Sequence, residues 1–246
     1  MLVICNGMIR SGSTLQYNIT VKLVEKVNKG IGEGYFDNRE FDLLDKKVHR
    51  WNGDKRYHII KTHGVYPPLK ENWNSSKIKM LYIYRDIRDV AASAKRKWGY
   101  EGKRLIDEIG KAIDIYYKLY TLPNIMFQRY ENVIKNPSLA VMEISDWLNI
   151  KVSDDDILLI CKETSISKAK EIMQKLKPWG KSRILIKIQK RLKIYQQEFD
   201  NKTLLHPDHI SNTQGESDIW NDILSFEEIE TIMYKYSDWL KHAKYI

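Results

Sequence analysis

Short apolar runs alternate with helical patterns along most of the chain. Four runs have the length and apolar content of buried strands. They cover residues 1–5, 57–61, 78–84 and 124–128. The segments that follow the runs predict helices, with apolar positions recurring about every 3.6 residues in the clearest of them. They cover residues 14–29, 101–120 and 137–148, and a further helix is expected to begin near Asp86. Strands alternating with helices predict an α/β fold whose parallel sheet is covered on both faces.

Three segments outside these elements are predicted to be irregular. Three glycines within residues 30–34 predict a break in regular structure. Residues 35–54 predict an irregular connection with a short helix near residues 41–49. Residues 206–215 predict a loop.

A last helix is predicted over residues 226–242. Ser225 and Glu228 have the spacing of a capping box, in which each side chain bonds a backbone N–H of the other. Phe226 begins the apolar face expected for this helix.

Length and composition predict one soluble domain. The chain has 246 residues, within the range of a single α/β domain, so we expect one domain over residues 1–246. Cys5 and Cys161 fit neither a metal pattern nor a disulfide framework. The sequence has no basic-then-apolar leader pattern and no run of eighteen apolar residues. We therefore expect a cytoplasmic protein without membrane insertion.

The chain is basic, with a formal net charge of +9. This balance favours anionic ligands, nucleic acid or an acidic surface, and does not choose among them. Basic residues crowd together in residues 168–193, where Glu171 is the one acid. This stretch is interpreted either as solvated helices or as a mobile flap over an anionic ligand, and both interpretations stay open.

The loop after the first strand has the composition of an anion site. Its spacing, Gly7-x-x-x-x-Gly12-Ser13-Thr14, nearly matches the nucleotide-phosphate loop, but Ser13 stands where that loop has Lys. A strand that enters a helix through such a turn aims backbone N–H groups and the positive helix end at one point. Kinases and NTPases depend on the missing Lys and on Mg²⁺, so the loop suits a phosphate better than ATP chemistry.

Cationic side chains follow three separate strands of the predicted sheet. Arg10, Lys61 and Arg85 lie at or just past the ends of their strands. Ligands of parallel sheets bind beyond the carboxyl ends of the strands, so these cations are expected to meet at one edge. His63 is expected on the same edge. The pKa of an imidazole lies near neutral pH, which suits a general base. A lone histidine is more often structural, but its place beside a Lys on this edge favours catalysis.

Arg85 and Ser93 are expected to reach one anion. Ser93 is eight residues after Arg85, two turns along the following helix. Arg offers a planar fork to phosphate oxygens, and Ser adds a hydroxyl donor. The alternative is a capped helix with solvated charges.

These segments, in this order, resemble the PAPS-dependent sulfotransferases, where PAPS is 3′-phosphoadenosine 5′-phosphosulfate. Residues 9–15 resemble the family's 5′-phosphosulfate loop, residues 61–63 its Lys-Thr-His segment, and residues 84–93 its 3′-phosphate motif. Tyr130 and Thr164 match softer motifs near the adenine. The resemblance covers roughly residues 1–240 in order.

The resemblance implies a P-loop-like sulfotransferase fold, a three-layer α/β sandwich with a central, mostly parallel sheet. It implies PAPS as donor, 3′-phosphoadenosine 5′-phosphate (PAP) as product, no metal, and an acceptor that is a small molecule with a hydroxyl or amine. The implied catalytic residues are Arg10, Lys61 and His63. The implied cofactor-binding residues are Arg10, Ser11, Gly12, Ser13, Thr14, Leu15, Arg85, Ser93, Tyr130 and Thr164.

Two departures from the family pattern affect the cofactor site. Leu15 stands where many members have a Trp that stacks on the adenine. Residues 211–215 carry no cation where many members have Arg-Lys-Gly. The 3′-phosphate is therefore expected to depend on Arg85, Ser93 and the basic stretch at residues 168–193.

Two functions other than sulfotransfer fit parts of the sequence. A nucleoside or nucleotide kinase would use the same loop, but Ser13 replaces the Lys it needs. An RNA-binding or polyanion-binding module would use residues 168–193, but no known nucleic-acid motif is present and no nucleic acid is expected. The acceptor and the oligomeric state cannot be read from the sequence.

Overall fold

The structure is a computed structural model that describes residues 1–51, 53–65, 77–176, 199–207, 210 and 215–246. Its centre is a five-stranded sheet in the order β2-β3-β1-β4-β5, in which every neighbouring pair is parallel. The strands are β1 (Leu2–Gly7), β2 (Gly30–Tyr35), β3 (Tyr57–Lys61), β4 (Ile78–Tyr84) and β5 (Ile125–Arg129). The connections after β1 and β4 run to opposite sides, which places a ligand-binding crevice beyond their carboxyl ends.

Ten α-helices are present in the described residues, together with single 3₁₀ turns. They are α1 (Ser13–Lys26), α2 (Phe41–Trp51), α3 (Ile87–Trp98), α4 (Gly102–Tyr120), α5 (Tyr130–Lys135), α6 (Pro137–Leu148), α7 (Asp154–Glu163), α8 (Ile166–Lys175), α9 (Phe226–Lys235) and α10 (Ser237–His242). The Asp86 carboxylate caps α3 by accepting from the Arg88 N–H at 2.9 Å. Pro137 occupies the first turn of α6, where its missing N–H has no intrahelical partner.

Two apolar cores lie on opposite faces of the sheet because successive strand residues point to opposite faces. In β1, Leu2 and Ile4 enter the core built with α3, α4, α9 and α10. Val3 and Cys5 enter the core built with α1, α6 and α7. This arrangement confirms the predicted three-layer α/β architecture with a parallel sheet.

The break predicted at residues 30–34 is wrong, because this segment forms the edge strand β2. Main-chain pairing to β3 holds it rather than apolar side chains. Gly32 permits a close approach: a Cβ there would lie 2.6 Å from the Tyr17 hydroxyl. The other predicted strands and the short helix after residue 40 are confirmed. Strands β3 and β4 have the predicted bounds, and the ends of the other elements are shifted by at most two residues.

The single helix predicted over residues 226–242 is also wrong. Tyr236 leaves helical geometry, with φ −123° and ψ 22°, and separates α9 from α10. The capping box of Ser225 and Glu228 is confirmed. Phe226, predicted on the apolar face, is 74% exposed. A first-turn residue precedes the stripe that packs on the core, and Ile232 of the next turns is fully buried instead.

Several predictions lie wholly or partly outside the described residues. Of the basic stretch at 168–193, residues 168–175 are in α8, and 177–193 are not described. Of the loop at 206–215, residues 208–209 and 211–214 are not described. None of the helices in the described ranges combines the length and the apolar character of a membrane span.

Candidate functional site

The loop between β1 and α1 depends on two residues with left-handed backbone. Arg10 has φ 59° and Gly12 has φ 86°. A Cβ on Gly12 would lie 2.7 Å from Cδ2 of Tyr130, so the position requires glycine for space as well as for conformation. The loop is therefore held tightly against Tyr130, the residue that follows β5.

Ser11 fixes the loop to the neighbouring strand. Its hydroxyl lies 2.6 Å from the carbonyl oxygen of Met8 and 3.0 Å from that of Ile83 in β4. Its backbone N–H donates to Met8 at 3.3 Å. Since both donors of Ser11 are used within the protein, this residue shapes the loop rather than pointing a hydroxyl outward.

The first turn of α1, which directly follows this loop, has backbone N–H groups without intrahelical acceptors. The first intrahelical bond runs from the N–H of Gln16 to the carbonyl of Gly12, so the N–H groups of Ser13, Thr14 and Leu15 have no intrahelical acceptor. Gly12 provides no side-chain cap, and the first turn holds no acidic residue. An anion is favoured there by both the donors and the helix dipole.

Arg85 follows β4 and is buried beside this loop. Its guanidinium lies over the ring of Tyr130 at 4.6 Å and pairs with the Asp89 carboxylate at 3.3 Å. It also donates to the carbonyl oxygens of Glu216 at 2.5 Å and Arg10 at 3.5 Å. Arg85 thus joins the loop, the start of α3 and the chain segment after residue 215.

The side chain of Arg10 extends from the loop toward α3. Its Nε donates to the Ser93 hydroxyl at 2.9 Å, and its guanidinium lies 5.9 Å from the ring centre of Trp98. Burial, and next the positive charge of Arg85, lower the pKa of Arg10. Two guanidinium groups therefore share a small region, where an anion would relieve their repulsion.

Lys61 and His63 form a pair at the end of β3. The Lys61 ammonium lies 3.2 Å from Nε2 of His63, and Nδ1 of His63 lies 3.1 Å from the carbonyl oxygen of Gly7. A carbonyl only accepts, so Nδ1 carries the proton and donates. Nε2 is then the basic nitrogen, and it accepts from Lys61.

Burial and mutual charge set the protonation of this pair. Burial lowers the pKa of Lys61 to about 8. Burial and the Lys61 charge lower the pKa of His63 to about 4. Within the described residues, neither Lys61 nor Arg10 forms an ion pair with a carboxylate. A buried ammonium and a half-buried guanidinium without carboxylate partners indicate a site for an anionic ligand.

Three further residues of the site are not predicted from the sequence. Tyr35, at the end of β2, places its ring 5.0 Å from the Lys61 ammonium. Asp89 holds Arg85, and Trp98 flanks Arg10. Asp89 has the one readable signal, since it lies four residues after Arg85 and faces it at helical spacing. Tyr35 has none, because the three glycines that precede it in β2 have the pattern of a break.

The sequence matches a known protein family over most of its length. A family model described as a sulfotransferase domain matches residues 3–217, most of the chain. The chain belongs to the sulfotransferase domain family. Sulfotransferase 2A6 of Rattus norvegicus is 26% identical over 149 residues, which are 53% of this chain and 50% of that protein. The aligned region thus spans about half the length of this curated relative.

Solved structures with the sulfotransferase fold cover nearly the whole chain. Retinol dehydratase in complex with retinol and PAP has a TM-score of 0.62 at 17% identity, covering 98% of this chain and 81% of its own. Mouse sulfotransferase SULT7A1 complexed with PAP has a TM-score of 0.57 at 14% identity, covering 98% and 84%. At these identities the likeness establishes the fold.

The remaining family-matched residues divide into two groups. Tyr130 is in the cluster, since its hydroxyl donates to the carbonyl of Gly215 at 2.7 Å. Leu15, in the first turn of α1, is partly buried at the margin of the core on that face of the sheet. Thr164 donates its hydroxyl to its own helix, at the Ile160 carbonyl, and no described contact joins it to the cluster. Among the described residues, no group of three His, Cys, Asp or Glu side chains has the geometry to hold a metal.

Proposed function

We propose that this sulfotransferase-family chain moves a sulfuryl group from PAPS to a hydroxyl or amine of a small-molecule acceptor. One observation carries the proposal: cationic side chains lie at or just past the ends of β1, β3 and β4, at the edge of the sheet where α1 begins without a side-chain cap, and two of them, Lys61 and Arg85, are buried. Arg10 and Lys61 supply charge there without a carboxylate partner in the described ranges. PAPS offers a phosphosulfate and a 3′-phosphate, the two anions that such a crevice would hold. The PAP named in the two neighbouring structures supports this donor.

His63 is the proposed general base. Its Nδ1–H is used by Gly7, which fixes the tautomer and turns the lone pair of Nε2 toward Lys61. In the reaction, the acceptor oxygen or nitrogen bonds to the sulfur, and its proton passes to Nε2. The bond from sulfur to the bridging oxygen breaks, and its electron pair stays on the 5′-phosphate of PAP.

Lys61 and Arg10 are the proposed electrostatic residues. The Lys61 ammonium and the acceptor proton compete for Nε2 of His63, so Lys61 must shift toward the sulfuryl oxygens before the proton is transferred. Arg10 is placed to neutralise charge on the phosphosulfate, because its loop forms the wall beside the first turn of α1. Fixed cations in a buried site stabilise such developing charge without reorganising solvent.

The 5′-phosphate is proposed to bind at the first turn of α1, on the N–H groups of Gly12, Ser13, Thr14 and Leu15. The 3′-phosphate is proposed to bind near Arg85 and Ser93. Tyr130 limits the space on this side, because its ring packs on both Gly12 and Arg85. Thr164 remains a proposed adenine contact that rests on the resemblance alone.

The acceptor class rests on analogy with the neighbouring structures. Retinol and androsterone, named in complexes of retinol dehydratase with PAP, are small molecules that each carry a hydroxyl group. We extend only the small-molecule class to this chain, along with the cytoplasmic location expected from the sequence.

The test is incubation of the purified chain with labelled PAPS and a mixed library of alcohols, phenols and amines. Product masses are read for the gain of one sulfuryl group, with the His63→Ala variant as control. The proposal expects at least one sulfated product that the variant does not form. PAP formation without any sulfated acceptor, or no consumption of PAPS, would count against it.

A further inference from the structure

The end of β2 brings an aromatic ring to the Lys61–His63 pair. Tyr35 and Lys61 are directly opposite each other in the parallel pairing of β2 and β3. The next residue, Phe36, donates its N–H to the Lys61 carbonyl at 2.9 Å, which fixes the two strand ends together. The Tyr35 ring therefore faces the Lys61 ammonium because of the strand register, and not through a loose surface contact.

The distances place the ring against both members of the pair. Its centre is 5.0 Å from the Lys61 ammonium and 6.0 Å from the centre of the His63 ring, at an interplanar angle of 54°. The ring is 43% exposed, whereas Lys61 is 7% exposed. Tyr35 thus lies between the buried cation and solvent.

We propose that Tyr35 is a positioning residue whose ring keeps the Lys61 ammonium charged and within the site, beside His63, while leaving it able to shift off Nε2. This proposal deepens the proposed function, on which its meaning for catalysis rests. The negative face of an aromatic ring attracts a cation, and the attraction strengthens where water is excluded. Lys61 needs such support because it is buried without a carboxylate among its described neighbours. The ring keeps the ammonium charged and on the reactive side of the site.

Other ionisable groups near the pair would not replace this effect. Cys5 of β1 lies opposite Lys61 of β3 in the sheet. Burial raises the pKa of the Cys5 thiol to about 12, so the thiol stays neutral. The charges of Asp37, Arg39 and Glu40 act on the Tyr35 hydroxyl. Asp37 and Arg39 pair with each other at 2.7 Å.

The test compares Tyr35→Leu, which removes the ring, with Tyr35→Phe, which keeps the ring and removes the hydroxyl. Tyr35→Gln is a second ring-free variant in case the leucine variant does not fold. Tyr234→Leu is the matched control, since Tyr234 is 90% exposed on α9. Circular dichroism and thermal melting establish that each variant is folded.

Two readouts separate positioning from a general structural effect. In the first, the pH dependence of kcat/KM with PAPS and a phenol acceptor is measured. Loss of the ring should move the alkaline limb, set by Lys61, to lower pH by about half a unit. In the second, the ring nitrogens of ¹⁵N-labelled His63 are titrated by NMR. A less firmly held ammonium should let the pKa of His63 rise in the ring-free variants.

The expected pattern is a shift in both readouts for Tyr35→Leu and Tyr35→Gln, with Tyr35→Phe and Tyr234→Leu like the wild type. Unchanged His63 titration and an unchanged alkaline limb in the ring-free variants would overturn the proposal. The NMR titration needs no turnover. If the wild type does not consume PAPS, the proposed function fails, while the titration still decides the role of Tyr35.

Discussion

Among the described histidines, His63 differs from His58 in the partners of its two ring nitrogens. Carboxylates face both nitrogens of His58, Glu33 at 2.8 Å and Asp54 at 3.2 Å. His63 instead faces a carbonyl oxygen and an ammonium. A histidine between carboxylates is suited to hold structure, whereas a neutral histidine with one fixed proton is suited to accept another.

Replacement of His63 by alanine should therefore remove turnover and spare donor binding. We expect kcat to fall by about 10²- to 10⁴-fold, the usual contribution of a general base. The Kd for PAP, measured by calorimetry, should change little because PAP carries no acceptor. His49→Ala, an exposed histidine on α2, is the control. Undiminished turnover would remove His63 from the mechanism.

Arg85 gives a prediction about ligand discrimination. Arg85→Ala should lower the affinity for PAP by about tenfold or more relative to the affinity for adenosine 5′-phosphate. A hydrogen bond to a charged group contributes about 1.5–3 kcal/mol, and only PAP carries the 3′-phosphate. Arg85→Lys keeps the charge opposite Asp89 but loses the planar fork, so it should show the same preference in weaker form. Arg88→Lys is the matched control, because Arg88 is also buried against an aspartate. Equal weakening of both nucleotides would refute the 3′-phosphate assignment.

At the scale of elements, the sequence predicted those parts of the fold whose signal is local. The strands β1, β3, β4 and β5 were readable because buried parallel strands are continuous apolar runs. Strand β2 was not, since its glycines and exposed residues are held by main-chain pairing. The cations at the strand ends were predictable from order alone, whereas Tyr35 depends on the register of a strand that composition does not reveal.

The loop between β1 and α1 gives a prediction at this scale. Gly12→Ala and Gly99→Ala both place a Cβ on left-handed backbone, which costs roughly 1–2 kcal/mol. At Gly99 a Cβ would meet nothing within 4 Å, whereas at Gly12 it would meet Tyr130. We expect Gly12→Ala to lower the free energy of unfolding more than Gly99→Ala, and to weaken PAP as well. Chemical denaturation and calorimetry measure the two effects, and equal losses in both variants would contradict this account of the loop.

At the scale of the whole molecule, the crevice depends on burial of positive charge. The fold brings Arg10, Lys61 and Arg85 to one edge of the sheet, where the protein itself provides one described carboxylate partner, Asp89, for the three. Holding these cations together at the edge costs free energy in the absence of a ligand, and a bound anion offsets that cost. The net charge of +9 acts in the same direction by attracting anions from solution.

The activity is expected to have a bell-shaped pH dependence. As pH rises through about 4, His63 loses its proton and becomes competent as a base, so kcat/KM rises. As pH rises through about 8, Lys61 loses its charge, so kcat/KM falls. Lys61→Met should lower the plateau and abolish the alkaline limb. A profile that keeps rising above pH 9 in the wild type would contradict the role of the Lys61 ammonium.

The central claim is that these cations form a metal-independent site for PAP. The most direct measurement is thermal unfolding of the purified chain with PAP, and separately with ATP plus Mg²⁺. A ligand at 100 times its Kd stabilises the folded state by about 2.7 kcal/mol, which for a chain of this size raises Tm by about 5–10 °C. We predict that rise with PAP in the presence of a chelator, and a much smaller one with ATP plus Mg²⁺. A rise with ATP plus Mg²⁺ and none with PAP would contradict the account.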